Sequence, residues 1–214
     1  MPDRFPGYDV LSKRDGQSWN ARSRDVIAAR LAIGGEPRFF THAQLRTLRA
    51  LAVRIVPQPE GRAPIDAAAL IDDALVNGEG EGFRDARMPP ASEAWRRGLD
   101  AFDVEAHDAL GKAFADLDGR AQDALIGAME AGALASGAWL GMPCALFFTS
   151  RVLADIVAAY YAHPSAWSAI GFGGPAAPRG YVRMEADRRD GWEAAELKPD
   201  DDPAKTIRQN RHVA

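Results

Sequence analysis

The feature that most restricts the fold of this chain is a long stretch with almost no charge. From residue 131 to residue 178 the only charged side chains are Arg151 and Asp155, whereas the chain average of 26% over 48 residues would give about 12. Apolar surface that leaves water contributes about 25 cal/mol per Å² to stability. We therefore expect this stretch to lie in a hydrophobic core or beneath a partner protein.

Two uncharged runs in this stretch, 131–150 and 156–178, are long enough for transmembrane helices. Their content argues against that interpretation. Several glycines and Pro143 interrupt the first run, and a cluster of glycine and proline ends the second. The sequence predicts no transmembrane segment.

Capping signals and apolar periodicity predict a series of helices. Thr41 and Gln44 have the spacing of a capping box ahead of an apolar stripe that stops at Pro57. The same kinds of signal predict further helices near 18–31, over 64–78 and 90–110, after Asp118, and over 143–163. No segment alternates apolar and polar residues over a length that would predict a strand. The predicted fold is all-α, a bundle-like single domain with irregular arms.

The predicted domain organisation has three parts. Residues 1–38 form an N-terminal arm with one helix, residues 39–175 the helical domain, and residues 176–214 a C-terminal arm that ends in a mobile tail. Residues 163–181 are too rich in glycine and proline for a helix, yet too apolar for a solvated loop. We expect that segment to cover a surface.

Composition excludes several classes of function. Cys144 is the only cysteine, which excludes intrachain disulfides and CxxC zinc sites. The net charge of -4 and the mixing of basic pairs with acids leave no basic footprint for nucleic acid. The N-terminus lacks the apolar core of a signal peptide, so we expect a cytoplasmic chain that reaches the periplasm only if a partner carries it.

No candidate catalytic, cofactor-binding or metal-binding group emerges from the motifs. GFGGPA (171–176) matches the dinucleotide fingerprint, but no strand is predicted before it and prolines follow it. Cys144 and His163 stand at opposite ends of a predicted helix, roughly 28 Å apart at 1.5 Å per residue. The sequence therefore predicts no cofactor bound by this chain.

Two sets of side chains are candidates for binding a partner. Arg151 and Asp155 are spaced i, i+4, as in an ion pair at the edge of a core or a polar anchor at an interface. Aromatic residues recur through the glycine- and proline-rich segment and beyond it, where they would pack on their own core or on another protein. The predicted partner-binding residues are Arg151, Asp155, Trp167, Phe172, Tyr181 and Trp192.

Three segments resemble a known family. FFTHAQLRTLRALAVRIVPQ, FADLDGRAQDALIGAME and WSAIGFGGP (167–175) together look like the gluconate 2-dehydrogenase subunit 3 family, over about residues 39–175. The resemblance implies a small helical subunit associated with a flavin-dependent dehydrogenase of the glucose-methanol-choline type, often with a cytochrome subunit. It further implies that FAD is bound by the partner and that this chain assists the partner's maturation, and it supplies no catalytic residues.

Three functions remain open at this point. The leading hypothesis is a non-catalytic accessory subunit of an oxidoreductase complex, which supports assembly or stability of the flavoprotein. The alternatives are an independent enzyme with a pocket near Arg151, Asp155 and His163, and a structural protein that associates with itself.

Overall fold

The computed structural model describes residues 3–78, 82, 84–178, 180 and 191–213. Within these residues it has an all-α fold without a strand, as predicted, and one isolated bridge between Trp19 and Ala177. The helices are α1 (Ala21–Leu31), α2 (His42–Ile55), α3 (Ala67–Val76), α4 (Ala91–Leu110), α5 (Gly119–Glu130), α6 (Cys144–Phe147), a π-helix (Phe148–Leu153), α7 (Ala154–Ala162), α8 (Pro164–Ile170) and α9 (Pro203–Arg211). Short 3-10 helices span Val10–Lys13, Phe114–Asp116 and Gly137–Trp139.

The chain forms two compact units. Unit 1 consists of Met1–Ala32, Gln58–Ile65 and Tyr161–Ala214, and unit 2 consists of Ile33–Pro57 and Asp66–Tyr160. Unit 1 thus joins the two ends of the sequence. The division into parts 1–38, 39–175 and 176–214 stays a prediction, because compactness alone does not establish an independently folding domain.

The core of unit 2 forms around the apolar face of α4. Trp95, Leu99, Phe102 and Ala106 are all buried, at the helical spacing that the sequence shows. Leu110, which continues the same pattern, is exposed because the helix ends there at the left-handed Gly111. The other members of this core come mainly from α2, α3, α5 and the helical run after residue 143.

The entry into α2 is fixed by two hydrogen-bonding groups. The predicted capping box is present, since the Thr41 side chain accepts from the Gln44 amide and the Gln44 side chain accepts from the Thr41 amide. Asp72 of α3 is buried and accepts three backbone N–H bonds, from Arg38, Phe39 and Phe40. This carboxylate therefore holds the segment before α2 against α3.

The predicted helix over 143–163 is a composite element. It begins as α6 after Pro143, widens into the π-helix, and continues as α7. In the π region the hydroxyls of Thr149 and Ser150 donate to main-chain carbonyls one turn back, which competes with the regular α-helical ladder. The difference from a simple helix thus has a local chemical cause.

The same run, Cys144–Ala162, is long and apolar enough to cross a membrane by length and composition, and 33% of its most apolar window is buried inside the protein. A core helix meets the same criterion. Phe147, Val152 and Ile156 of this run are fully buried in the core of unit 2. The run therefore serves as a core element with a substantial uncovered apolar portion.

Unit 1 has a smaller core built from both ends of the chain. Its buried members are Tyr8, Val10, Trp19, Ile27, Ala194 and Val213. Gly174, in the left-handed region with φ +69°, lies against this core, and a Cβ there would be 2.7 Å from Val10 Cγ2. A glycine is therefore required where the glycine- and proline-rich segment meets the N-terminal residues.

The segment 163–181 differs from its sequence-based description. Its first part forms α8, because Pro164 suits the first helical position and His163 caps the helix. Left-handed Gly171 ends α8, and the Ala177 amide then donates to the Ser18 carbonyl at 2.9 Å. The described part of this segment packs on the N-terminal part of its own chain.

The end of the chain, expected to be a mobile tail, contains α9. Asp202 caps this helix, Pro203 opens it, and Asn210 and Val213 are buried. The Asn210 side chain accepts from the Ala195 amide and donates to the carbonyls of Ala195 and Pro6. Polar composition predicted mobility here, whereas these long-range hydrogen bonds order the segment.

Candidate partner-binding surface

Arg151 and Asp155 lie at the edge of the core of unit 2. Their closest nitrogen and oxygen are 3.4 Å apart, and the side chains are 19% and 30% exposed. The same Asp155 oxygen accepts a hydrogen bond of 2.9 Å from the indole N–H of Trp95, which is fully buried. Asp155 therefore supplies the partner that a buried indole requires, while one side of the pair stays accessible.

Trp167 and Phe172 form an aromatic pair in unit 1. Their ring centroids are 5.7 Å apart with perpendicular planes, a favourable edge-to-face arrangement. The Trp167 indole N–H donates to the Tyr161 carbonyl at 2.6 Å, and the Phe172 amide donates to the Trp167 carbonyl at 2.9 Å. The first bond fixes the Trp167 ring and the second fixes the backbone of Phe172, whose side chain is 43% exposed. The pair thus presents an aromatic edge to solvent.

Trp167 also borders a recess of about 300 Å³ within unit 1. The apolar part of its lining comes from Val26, Ile27, Trp167 and Pro175. Its polar part comes from the N-cap residue Asn20 and from Arg22, Ser23 and Arg30 of α1. The Arg30 guanidinium donates to the Ala162 carbonyl at 2.8 Å, which ties α1 to the end of α7.

Trp192 is partly buried in the same apolar cluster as Trp167. The Lys13 ammonium lies 5.3 Å from the Trp192 ring centroid and donates to the Tyr8 hydroxyl at 2.8 Å. Lys13 is almost fully buried, so the cation–π contact is shielded from water. Tyr181, the sixth predicted residue, lies outside the described residues.

The predicted residues therefore fall into two groups. Trp167, Phe172 and Trp192 belong to unit 1, and Arg151 and Asp155 belong to unit 2. Their role in binding a partner stays a prediction. The sequence pattern does not indicate Lys13, because its burial depends on contacts with Tyr8 near the start of the chain and Trp192 near its end.

Leu140 is likewise not indicated by the sequence pattern, although at 72% it is the most exposed of the large apolar side chains described. Its backbone is left-handed, with φ 48° and ψ 39°. The only sequence signal is its position between a tryptophan and a glycine in the uncharged stretch. That signal does not distinguish an exposed leucine from a buried one.

Cys144 and His163, the candidate nucleophile and base, each form a hydrogen bond with the main chain. The Cys144 thiol is buried and donates to the Leu134 carbonyl at 3.4 Å. His163 accepts the Ser165 amide at its Nδ1, and desolvation, reinforced by the nearby Arg30 charge, lowers its pKa. Among the residues that the structure describes, no cluster of three or more His, Cys, Asp or Glu side chains is arranged to hold a metal ion.

The comparison with known proteins identifies a family. A family model described as gluconate 2-dehydrogenase subunit 3 matches residues 42–174, well over half of the chain. No curated protein and no solved structure matches the chain. The matched range contains α2 to α8, and therefore Arg151, Asp155, Trp167 and Phe172 but not Trp192.

Proposed function

The chain belongs to the gluconate 2-dehydrogenase subunit 3 family, and on that premise we propose that it is the accessory, non-catalytic subunit of a flavin-dependent dehydrogenase complex. The family match over residues 42–174 is the observation that carries the proposal. In this proposal the partner is a flavoprotein of the glucose-methanol-choline type, which holds the FAD and performs the oxidation. A cytochrome subunit is a further candidate member of the complex.

The distribution of charge supports a role in binding another protein. Interface cores are depleted of charged residues relative to the rest of a protein surface. In the uncharged stretch of unit 2 the exposed side chains include Leu140, Leu153 and several alanines, and the only two charged groups, Arg151 and Asp155, form an ion pair with each other. A partner would therefore cover this surface without stripping water from an isolated charge.

The aromatic edge of unit 1 offers a second kind of contact. The Trp167 ring is held by its bond to the Tyr161 carbonyl and packs edge-to-face on Phe172, so little conformational entropy of the tryptophan is lost on binding. Rigid aromatic side chains are typical binding hot spots. We assign this edge of unit 1, and separately the Arg151–Asp155 pair of unit 2, to recognition of the flavoprotein, whose assembly or stability the subunit would support.

The test is to tag the chain in its native host, purify it under mild conditions, and record the visible spectrum and the subunit stoichiometry. A flavin spectrum together with a larger chain at a fixed molar ratio is the expected result. A colourless chain that elutes alone would contradict the proposal. The cytoplasmic location expected from the sequence is checked in the same strain by fractionation.

Self-association is the competing function that the same preparation tests. Light scattering of the isolated chain gives its mass in solution, and a stable dimer without flavin would favour a structural protein. An independent enzyme would instead show turnover by the isolated chain. Asp155 already accepts from Trp95 and lies beside Arg151, which gives it a structural role that does not require catalysis.

A further inference from the structure

The turn that connects α5 to α6 presents a single leucine to solvent. Leu140 follows the 3-10 helix Gly137–Trp139 and is 72% exposed, the largest exposed fraction among the described large apolar side chains. Trp139 directly precedes it, Met142 follows two residues later, and neither shares its exposure. Trp139 and Met142 are both buried in the core of unit 2.

The turn is anchored by a network of hydrogen bonds. One carboxylate oxygen of Glu105 accepts from the Ser136 amide at 2.7 Å and from the Trp139 indole N–H at 2.9 Å. The Met142 amide donates to the Trp139 carbonyl at 2.9 Å, which closes the turn around Leu140. Leu140 is therefore held in one position by its neighbours, although its own side chain is largely uncovered.

The backbone at Leu140 has a conformation that leucine disfavours. It is the one non-glycine residue with positive φ among those described, and Gly141 after it has φ 80°. In the left-handed region a Cβ crowds the next carbonyl oxygen, whereas glycine has no such conflict. A glycine at position 140 would thus hold the same turn with less strain, and neither the fold nor solubility requires a leucine there.

The surroundings of Leu140 restrict what could cover it. Residues 131–143 contain no charged side chain, and Ala133, Ala135 and Gly137 are exposed in addition to Leu140. The Glu105 carboxylate at this turn already accepts two hydrogen bonds from it, so a charged surface placed here would lose its hydration for little gain from an ion pair. Electrostatic complementarity therefore favours an uncharged, apolar counterpart.

We propose that Leu140 is an anchor residue that inserts into an uncharged apolar pocket of the flavoprotein subunit. This inference rests on the proposed function and adds to it the contact residue and the chemistry of the partner's site. In the free subunit the strained, exposed leucine lowers stability. Burial of its side chain in the complex offsets that loss, which is why the fold retains it.

The experiment compares three variants of the full chain with the wild type. Leu140→Gly removes the anchor and relieves the backbone strain, and Leu140→Met keeps an apolar side chain of similar size. Val53→Ala is the matched control, because Val53 is 55% exposed on α2 and stands next to Arg54, outside the uncharged stretch. The dissociation constant is measured for each variant against the flavoprotein that copurifies with the wild type, after the subunits are separated and recombined.

For Leu140→Gly we expect opposite effects on binding and on stability. The dissociation constant rises at least tenfold, as for a central hot-spot residue, while the Tm stays equal to that of the wild type or rises by up to about 4 °C. Leu140→Met and Val53→Ala stay within about threefold of the wild-type dissociation constant. A lowered Tm in Leu140→Gly would contradict the strain argument.

The outcomes separate this inference from the proposed function. If the wild type binds the flavoprotein and Leu140→Gly binds equally well, the inference is wrong and the proposed function stands. If no flavoprotein accompanies the wild type, both fail. If the wild type is a dimer that Leu140→Gly converts to a monomer, a second copy of this chain is the occupant and the inference is overturned.

Discussion

At the residue scale, glycines show which positions the packing dictates. Gly98 lies in the middle of α4, and a Cβ placed on it would overlap the ring of Phe147, which is fully buried beside Trp95 and Trp139. Gly127 lies in the last turn of α5, and beyond its own helix no atom is within 4 Å of the corresponding position. The two glycines look alike in the sequence and differ only in what faces them.

The pair Gly98→Ala and Gly127→Ala therefore has opposite expected effects. Gly98→Ala forces Phe147 out of its place and lowers the free energy of unfolding by about 1–3 kcal/mol. Gly127→Ala removes a helix-weakening residue at an open site and raises the free energy of unfolding by about 0.5–1 kcal/mol. Urea denaturation followed by tryptophan fluorescence measures both changes. Similar effects in the two variants would contradict the packing at Gly98.

His163 gives a prediction for pH. Its folded-state pKa is lowered, first by desolvation and then by Arg30, so the unfolded chain binds the proton more readily. The contribution of His163 to stability is therefore full above its ordinary pKa of 6.5 and declines as the pH falls through the interval below it, levelling off once the folded form is protonated. Protonation also removes the Nδ1 acceptor that caps α8.

The variant His163→Asn tests this dependence. Asparagine keeps a capping oxygen but does not titrate, so we expect the free energy of unfolding to vary less between pH 7.5 and pH 5 than in the wild type. Near pH 7.5 the two proteins should have similar stability. An identical pH dependence in both would show that His163 is not responsible for it.

At the element scale, the position of α2 relative to α3 depends on one carboxylate. Asp72→Ala leaves the amides of Arg38, Phe39 and Phe40 without their acceptor, and we expect a loss of about 2–4 kcal/mol in the free energy of unfolding. Asp73→Ala is the control, because Asp73 is more exposed and its salt bridge with Arg38 is worth at most about 1 kcal/mol. Denaturant titration of both variants gives the comparison, and equal losses would contradict the assigned role of Asp72.

At the scale of the whole molecule, unit 1 depends on contacts between the two ends of the chain. The Asn210 side chain bonds Ala195 at 2.6 and 2.9 Å and Pro6 at 2.9 Å. Asn210→Ala should cost about 2–4 kcal/mol, because the buried Ala195 amide loses its acceptor. Gln209→Ala, on the exposed side of α9, should change stability by less than about 0.5 kcal/mol.

Hydrogen exchange gives the most direct measurement of this contact. In Asn210→Ala the Ala195 amide should exchange faster than in the wild type, since its bond to the side chain is lost. The Gln209→Ala variant should keep wild-type protection. Unchanged protection of the Ala195 amide in both variants would show that the end of the chain is not ordered through Asn210.

The sequence by itself determined the all-α fold, the capping box at Thr41, the cap at Asp118 and the buried face of α4. These features depend on side-chain spacing and on hydrogen bonds within a few residues. The family was identifiable for a related reason, because its motifs are local runs of residues. Leu110 shows where apolar spacing stops predicting burial. It continues the apolar face of α4 in the sequence, but it is exposed because the helix ends beside it.

Only the tertiary structure decided the features that depend on distant parts of the chain. The ordering of α9 requires Pro6 and Ala195, and the burial of Lys13 requires Tyr8 and Trp192. The exposure of Leu140 depends on Glu105, which holds the turn from another helix. Composition and periodicity carry no information on such long-range contacts, because the groups that form them become neighbours only after the chain has folded.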